Sequence, residues 1–278
     1  MPGPLVTLPL HQALLDARRR GVPRIDASVD LGRTREPLEI DEDRWASATG
    51  TYPYLGTCRD RTIYYWTGQA FAPVARYDTA LIKLVPTEWG PPTFEIDGIK
   101  MLPTSRVSPY EDARRKVDLI RPRGHTVLDT CGGLGYFAAC CLEQGASRVL
   151  SFEKNADVLW LRSLNPWSPQ PGVGTLELVH GDVTARVRAL PDATFDAVLH
   201  DPPRFGMAGE LYSGDFYAQL ARVLRPRGRL FHYTGSPNRL TSGRDVPQEV
   251  ARRLRAEGFK TEASGDGVFA VKPARKRS

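Results

Sequence analysis

Asp129-Thr130-Cys131-Gly132-Gly133-Leu134-Gly135-Tyr136 is the stretch that decides how this 278-residue chain is built. Thr126-Val127-Leu128 before it is short and apolar and reads as a buried strand running to Thr130, while residues 136–144 read as a helix stopped at Gly145. Glycines between a strand and a helix let the chain turn sharply and bring its backbone close to a ligand. The start of the helix adds free N–H groups at the same place.

Toward the C-terminus, strands and helices alternate. Residues 149–153, 176–180, 195–200 and 229–233 read as the second to fifth strands. Helices are expected after the second strand through Leu161, over 216–224 and over 250–256. Residues 260–263 and 268–271 form a hairpin around Ser264-Gly265-Asp266-Gly267. The expected fold class is therefore α/β, a Rossmann-like parallel sheet wrapped by helices and closed by an antiparallel C-terminal hairpin. The chain before it differs. After a short helix over 10–20 come Thr62-Ile63-Tyr64-Tyr65-Trp66, Ala80-Leu81-Ile82-Lys83-Leu84 and Thr93-Phe94-Glu95-Ile96, separated by turn residues. The predicted organisation is a β-rich module over 1–106 that shapes the substrate site, a catalytic domain over 107–273 and a basic tail over 274–278. The spacing of Ala113, Val117 and Ile120 predicts a linking helix over 110–120.

Hydrophobic residues make up 41% and charged residues 25%, the proportions of a globular protein in water. No apolar stretch approaches the roughly 20 residues of a membrane span, and the N-terminus does not read as a signal peptide. The expected location is the cytoplasm. Cys58, Cys131, Cys140 and Cys141 are too few and too oddly spaced for a disulfide framework or a zinc site, so no metal is expected. The net charge of +6 fits a polyanionic partner such as RNA, and fits an arginine-rich composition equally well. A homodimer is compatible with the chain.

Gly133-x-Gly135-x-x-Ala138 with Glu153 also matches a dinucleotide fingerprint, so the glycines alone do not choose between a nicotinamide cofactor and S-adenosylmethionine (SAM). Three further positions favour SAM. Asp129 closes the first strand, where an acid can face a cationic sulfonium; Gly181-Asp182 follows the third; His200-Asp201-Pro202-Pro203 follows the fourth. The expected cofactor contacts are Asp129, Cys131, Gly132, Gly133, Gly135 and Tyr136 in the first turn. Glu153 and Lys154 follow the second strand, and Asp182 and Val183 the third.

Asp201-Pro202-Pro203-Arg204-Phe205 is the expected catalytic block. Two locked φ angles would hold the acid and a proline carbonyl as a pair of acceptors for the N–H bonds of an amine. The lone pair of that amine then faces the methyl group, and displacement needs mainly alignment. Arg204 or Phe205 could cover a planar base, because a guanidinium stacks on rings as aromatic side chains do. The loop 206–213 could close over a substrate. Strand-end His200 and His232 are more often hydrogen-bonded core residues than proton carriers. Arg222, Arg225, Arg227 and Arg229 could hold phosphates.

The chain resembles the predicted archaeal-type methyltransferases. The resemblance rests on Phe94-Glu95-Ile96-Asp97-Gly98, Leu128-Asp129-Thr130-Cys131-x-Gly133-Leu134-Gly135-Tyr136, Asn165-Pro166-Trp167-Ser168, His200-Asp201-Pro202-Pro203-Arg204-Phe205, Gly209-Glu210-Leu211-Tyr212-Ser213 and Leu230-Phe231-His232-Tyr233. It spans about residues 30–271 and implies a SAM-binding Rossmann-like methyltransferase fold in which Arg204 is a family feature, while it implies little about the substrate. A weaker resemblance is to polyamine aminopropyltransferases, which use decarboxylated SAM. Those carry an Asp-x-x-Asp pattern after the fourth strand, and here Val198 stands three residues before Asp201. A third reading is a catalytically inactive RNA-binding module that keeps the fold.

Overall fold

A computed structural model describes residues 3–172, 174–203, 206, 208–235 and 245–274. These group into two compact units, one within residues 1–112 together with Trp160–Ser168, the other within 113–159 and 169–278.

The first unit opens with β1 (Leu5–Val6) and α1 (Leu8–Arg19). Leu10, Leu14 and Ala17 recur at helical spacing on the buried face of α1, Pro9 sits in its first turn, and Arg18 and Arg19 close it where cations suit the helix dipole. An antiparallel meander follows, β2 (Arg24–Ala27), β3 (Glu36–Ile40), β4 (Arg44–Ser47) and β5 (Gly50–Pro53). Next, β6 (Tyr64–Trp66) pairs with both β1 and β7 (Phe71–Pro73). A second meander comprises β8 (Ala75–Tyr77), β9 (Leu81–Val85), β10 (Thr93–Ile96) and β11 (Ile99–Lys100). Between the last two strands, Asp97 and Gly98 both take positive φ, 47° and 77°, the conformation a two-residue hairpin demands. Leu10, Leu14, Leu38, Trp45, Tyr52 and Tyr64 form the core of this unit. Trp160–Ser168 belongs here because Trp160 packs edge-on against Tyr65 and lies under the Arg76 guanidinium, and the Trp167 indole N–H donates to the Leu31 carbonyl at 3.1 Å. Within Asn165-Pro166-Trp167-Ser168, the buried Asn165 amide donates to the Ser168 hydroxyl, so that block has a structural task.

After α2 (Pro109–Ile120), the second unit runs β12 (Thr126–Asp129), α3 (Tyr136–Glu143), β13 (Arg148–Glu153), α4 (Ala156–Leu164), β14 (Leu176–His180) and α5 (Val183–Arg186). It continues with β15 (Phe195–His200), α6 (Gly214–Val223), β16 (Leu224–Tyr233), α7 (Val246–Ala256), β17 (Lys260–Ser264) and β18 (Gly267–Val271). The sheet order is β14-β13-β12-β15-β16-β18-β17, with β12 to β16 mutually parallel and β18 antiparallel to both neighbours. This is the Rossmann-like α/β sheet with an antiparallel hairpin that the sequence predicts. Its switch point lies between β12 and β15, where open α/β sheets bind ligands at the carboxyl ends of their strands. Residues 136–141 of α3 are all buried, so Cys140 and Cys141 are packing residues.

Three boundaries differ from expectation by three residues or more. α7 starts at Val246 rather than 250, because the Asp245 side chain accepts from the Gln248 N–H and Pro247 suits a first turn. α4 runs on to Leu164, past the expected end at 161. β16 begins at Leu224 rather than 229: Pro226 and Gly228 read as a turn, and here they form an irregularity in the strand, with Arg227 at φ 66°. Of the expected tail, residues 275–278 lie outside the described residues.

Candidate functional site

The turn after β12 is tight. The Gly132 N–H donates to the Phe152 carbonyl and the Gly135 N–H to the Gly132 carbonyl, both at 2.7 Å. Gly133 and Gly135 sit at φ 49° and 82°, the left-handed region where a Cβ is strained. Glu153, at the end of β13, holds this turn in place. One carboxylate oxygen accepts the Gly133 N–H at 2.9 Å and the other the Asn155 N–H at 2.8 Å. Buried Tyr136 then opens α3, whose N-terminus carries no side-chain cap.

Asp129 is buried at the end of β12 and accepts a 2.8 Å hydrogen bond from the Ser151 hydroxyl on the neighbouring strand. The adjacent Cys131 thiol is pushed well up by burial first, and then by the Glu153, Asp129 and Asp201 carboxylates. Glu153 and Asp129, from neighbouring strand ends, thus stand beside the glycine turn. Such a set suits a ligand with a positive centre and an adenosine end, the chemistry expected of the cofactor.

Asp182 caps α5, taking both the N–H and the hydroxyl of Thr184 at 2.8 and 2.7 Å. Burial alone would raise its carboxyl, but the Thr184 bonds and the Lys154 charge outweigh burial and hold it below the ordinary value. Lys154, which follows β13, lies 4.0 Å from Asp182 and 3.7 Å from Glu210, so it bridges the loops after β14 and β15. Val183, the first residue of α5, is buried in the core cluster.

On the other side of the switch point, Asp201 follows β15 with its side chain 17% exposed. Its Oδ2 is 3.4 Å from the Nζ of Lys116, whose side chain is 7% exposed. The same ammonium stands 3.9 Å from the centroid of the Tyr233 ring, at the end of β16, and 5.6 Å from that of Phe137. Lys116 is a site residue that the sequence reading missed. The signal was there: Lys116 follows Ala113 by three and precedes Ile120 by four, so it occupies the apolar stripe of α2, where a lone charge is exceptional.

Pro202 and Pro203 follow Asp201, and the Tyr212 hydroxyl donates to the Pro203 carbonyl at 3.0 Å. Arg204 and Phe205 lie outside the described residues. The expected covering loop is corrected in its second half, since Leu211 and Tyr212 are buried core residues rather than parts of a free flap. His200 and His232 are wholly buried and in ring contact at 4.4 Å. His200 Nε2 faces the Leu211 carbonyl at 3.0 Å and so must carry the proton, leaving Nδ1 to accept from the Thr130 hydroxyl at 2.7 Å. By the same logic His232 Nδ1–H donates to the Tyr233 carbonyl and its Nε2 accepts from the Tyr217 hydroxyl, each at 2.8 Å. Burial pushes both imidazoles down, His232 to about 4, so both are neutral structural links.

The expected phosphate-binding arginines are also corrected. Arg222 is spent on Asp192 and the Val187 and Leu190 carbonyls, Arg225 on Asp196 and the Ala193 carbonyl, and Arg229 on the Ile120 carbonyl. They lie before or early in β16, at the strand end opposite the cleft, where they tie down neighbouring loops.

A sequence model of the S-adenosyl-L-methionine-dependent methyltransferases matches residues 152–240. An uncharacterized protein of Methanocaldococcus jannaschii is 46% identical over 195 residues, which cover 69% of this chain and 67% of that protein. Polyamine aminopropyltransferase 2 of Streptomyces coelicolor is 42% identical over 66 residues, covering 23% of this chain and 12% of that enzyme. Among solved structures, spermidine synthase from Thermotoga maritima shares the fold, with a TM-score of 0.55 and 18% identity over 76% of this chain and 78% of that one. The chain belongs to one family with this archaeal protein, and the match of residues 152–240 to the S-adenosyl-L-methionine-dependent methyltransferases, together with the acid-lined glycine turn, gives S-adenosylmethionine as its cofactor.

Proposed function

We propose that this methyltransferase acts on an amino nitrogen, foremost an exocyclic amine of an RNA base, in the cytoplasm. The observation that carries the reading is Asp201, an acceptor carboxylate fixed at the switch point ahead of two prolines whose second carbonyl is tied to Tyr212. The cofactor supplies an electrophilic methyl group. Asp201 and the Pro202 carbonyl accept the N–H bonds of the amine and so aim its lone pair. The amine so aimed would take up that methyl group, whose bonding pair would stay with the cofactor, and the nitrogen would release one proton to water. No cysteine lies between Asp201 and Ser213 to serve as the nucleophile that carbon methylation would ask for. The positive balance of the chain favours an anionic substrate, which would be released as salt rises. The β-rich unit is assigned to substrate selection.

The competing reading, aminopropyl transfer to a polyamine, draws on the spermidine synthase fold and the short aminopropyltransferase match. Against it, the residue three positions before Asp201 is Val198, a core residue of β15, so no second acid stands there. Incubation with labelled SAM and total RNA, followed by nucleoside mass spectrometry, is expected to yield an N-methylated base. Turnover of decarboxylated SAM with spermidine would establish the competitor instead, and a methylated carbon or ribose oxygen would overturn the nitrogen mechanism.

Glu153 is assigned to the ribose hydroxyls. Glu153→Ala should weaken SAM binding by about 1–3 kcal/mol, because a charge-assisted acceptor is lost and the Gly133 N–H loses its partner as well. Isothermal calorimetry on the folded variant checks this, and an unchanged affinity would refute the assignment.

A further inference from the structure

A lysine whose side chain is 7% exposed, set against the acceptor carboxylate, has no part in aligning an amine, so its presence calls for a reason. Lysine is rarely buried without a partner, and Lys116 has Asp201 at 3.4 Å and the face of Tyr233 at 3.9 Å. The pair joins α2 to the strand ends that carry the chemistry. We infer that Lys116 is a positioning residue that neutralises Asp201, and that it thereby restricts the methyl acceptor to an uncharged, arylamine-type nitrogen and shuts out alkylammonium groups.

Two consequences of the ammonium support this. An adjacent positive charge favours the ionised carboxylate and makes it a weaker proton acceptor, while leaving it able to accept hydrogen bonds. Aliphatic amines are protonated at neutral pH and must surrender a proton before they can attack, which needs a base. The amino group of an aromatic ring is already neutral. It attacks with its own lone pair, and the arylammonium that results is acidic enough to pass its proton straight to water. The second consequence is repulsion, since an incoming alkylammonium would have to sit beside Lys116 in a largely desolvated place, where like charges are costly. Tyr233 strengthens the device. Its ring face holds the ammonium in place without offering a competing anion.

The inference rests on the reading of Asp201 as amine acceptor, and the test keeps the two separable. Spermidine is titrated by calorimetry into the protein saturated with S-adenosylhomocysteine, for wild type, Lys116→Met and Lys116→Met/Asp201→Asn. Wild type is expected to show no binding at millimolar spermidine. Lys116→Met removes the ammonium that stands 3.4 Å from the Asp201 carboxylate, so spermidine affinity should rise by about tenfold or more, the scale of one partly desolvated ion pair. The added Asp201→Asn should abolish the gain. Lys116→Arg keeps the charge and should stay blind to spermidine. If Lys116→Met does not fold, Lys116→Gln carries the same test. Spermidine binding by the wild type, or no gain in either neutral variant, would overturn the inference. The expected spermidine pattern without any methylated RNA base would uphold the role of Lys116 and sink the RNA reading alone.

Discussion

Asp201→Ala is expected to leave SAM affinity nearly unchanged and to cut turnover by about a hundredfold or more, the scale of removing one preorganised transition-state contact. The separation follows from placement. The glycine turn, Glu153 and Asp182 are organised by hydrogen bonds of their own that do not pass through Asp201. Asp201 sits across the switch point, at the end of β15. The alanine variant also strips Lys116 of its counter-charge, so part of its defect could come from loss of fold. Asp201→Asn is the control: it keeps the shape and the carbonyl acceptor but exchanges a charged acceptor for a neutral one. An intermediate rate for Asp201→Asn, with equal SAM affinity in all three proteins, supports the acceptor role. A SAM affinity that falls in parallel with turnover would place Asp201 in the cofactor site instead.

The second large effect is on stability at mild acid. His232 is wholly buried, and its imidazole is pushed from 6.5 to about 4 by burial, which outweighs the opposing bond to the Tyr233 carbonyl. The unfolded chain therefore binds a proton near pH 6.5 that the folded chain refuses until about pH 4. Stability contributed by the neutral ring is complete above 6.5 and is lost progressively as pH falls toward 4. At 1.36 kcal/mol for each pH unit of the gap, His232 alone removes about 3 kcal/mol. His200 is pushed the same way, by burial and by the neighbouring His232, and adds to the loss. Against a typical total of roughly 5–15 kcal/mol, that is a large fraction. Carboxyl groups held low, such as Asp182, give up their stabilisation only at still lower pH, so the windows do not overlap. Urea unfolding between pH 7.5 and 4.5 should show this fall, and His232→Gln should show a shallower one from a lower starting value. A flat profile for the wild type across that range would refute the account.

The alternation of strands and helices after His125, the glycine turn and the closing hairpin were legible because each is written locally. Apolar runs of strand length, glycines where φ must be positive and the turn Ser264-Gly265-Asp266-Gly267 all act over a few residues. So were the strand-end acids Asp129, Glu153, Asp182 and Asp201, since a parallel sheet brings every carboxyl end to one rim regardless of the loops between. What those acids do there was not legible. Glu153 ties the glycine turn, Asp182 caps a helix, and Asp201 faces a lysine 85 positions earlier in the chain. Arg222, Arg225 and Arg229 looked like parts of a phosphate cluster by proximity in sequence, yet the end of α6 and the start of β16 turn them to carbonyls and carboxylates. The sequence by itself determined the sheet, the glycine turn after β12 and the placing of acids at the strand ends, because local backbone preference and strand periodicity suffice for these. Only the tertiary structure decided which charges meet, because ion pairing depends on distance in space, and Lys116 reaches Asp201 through the packing of α2 rather than through any motif.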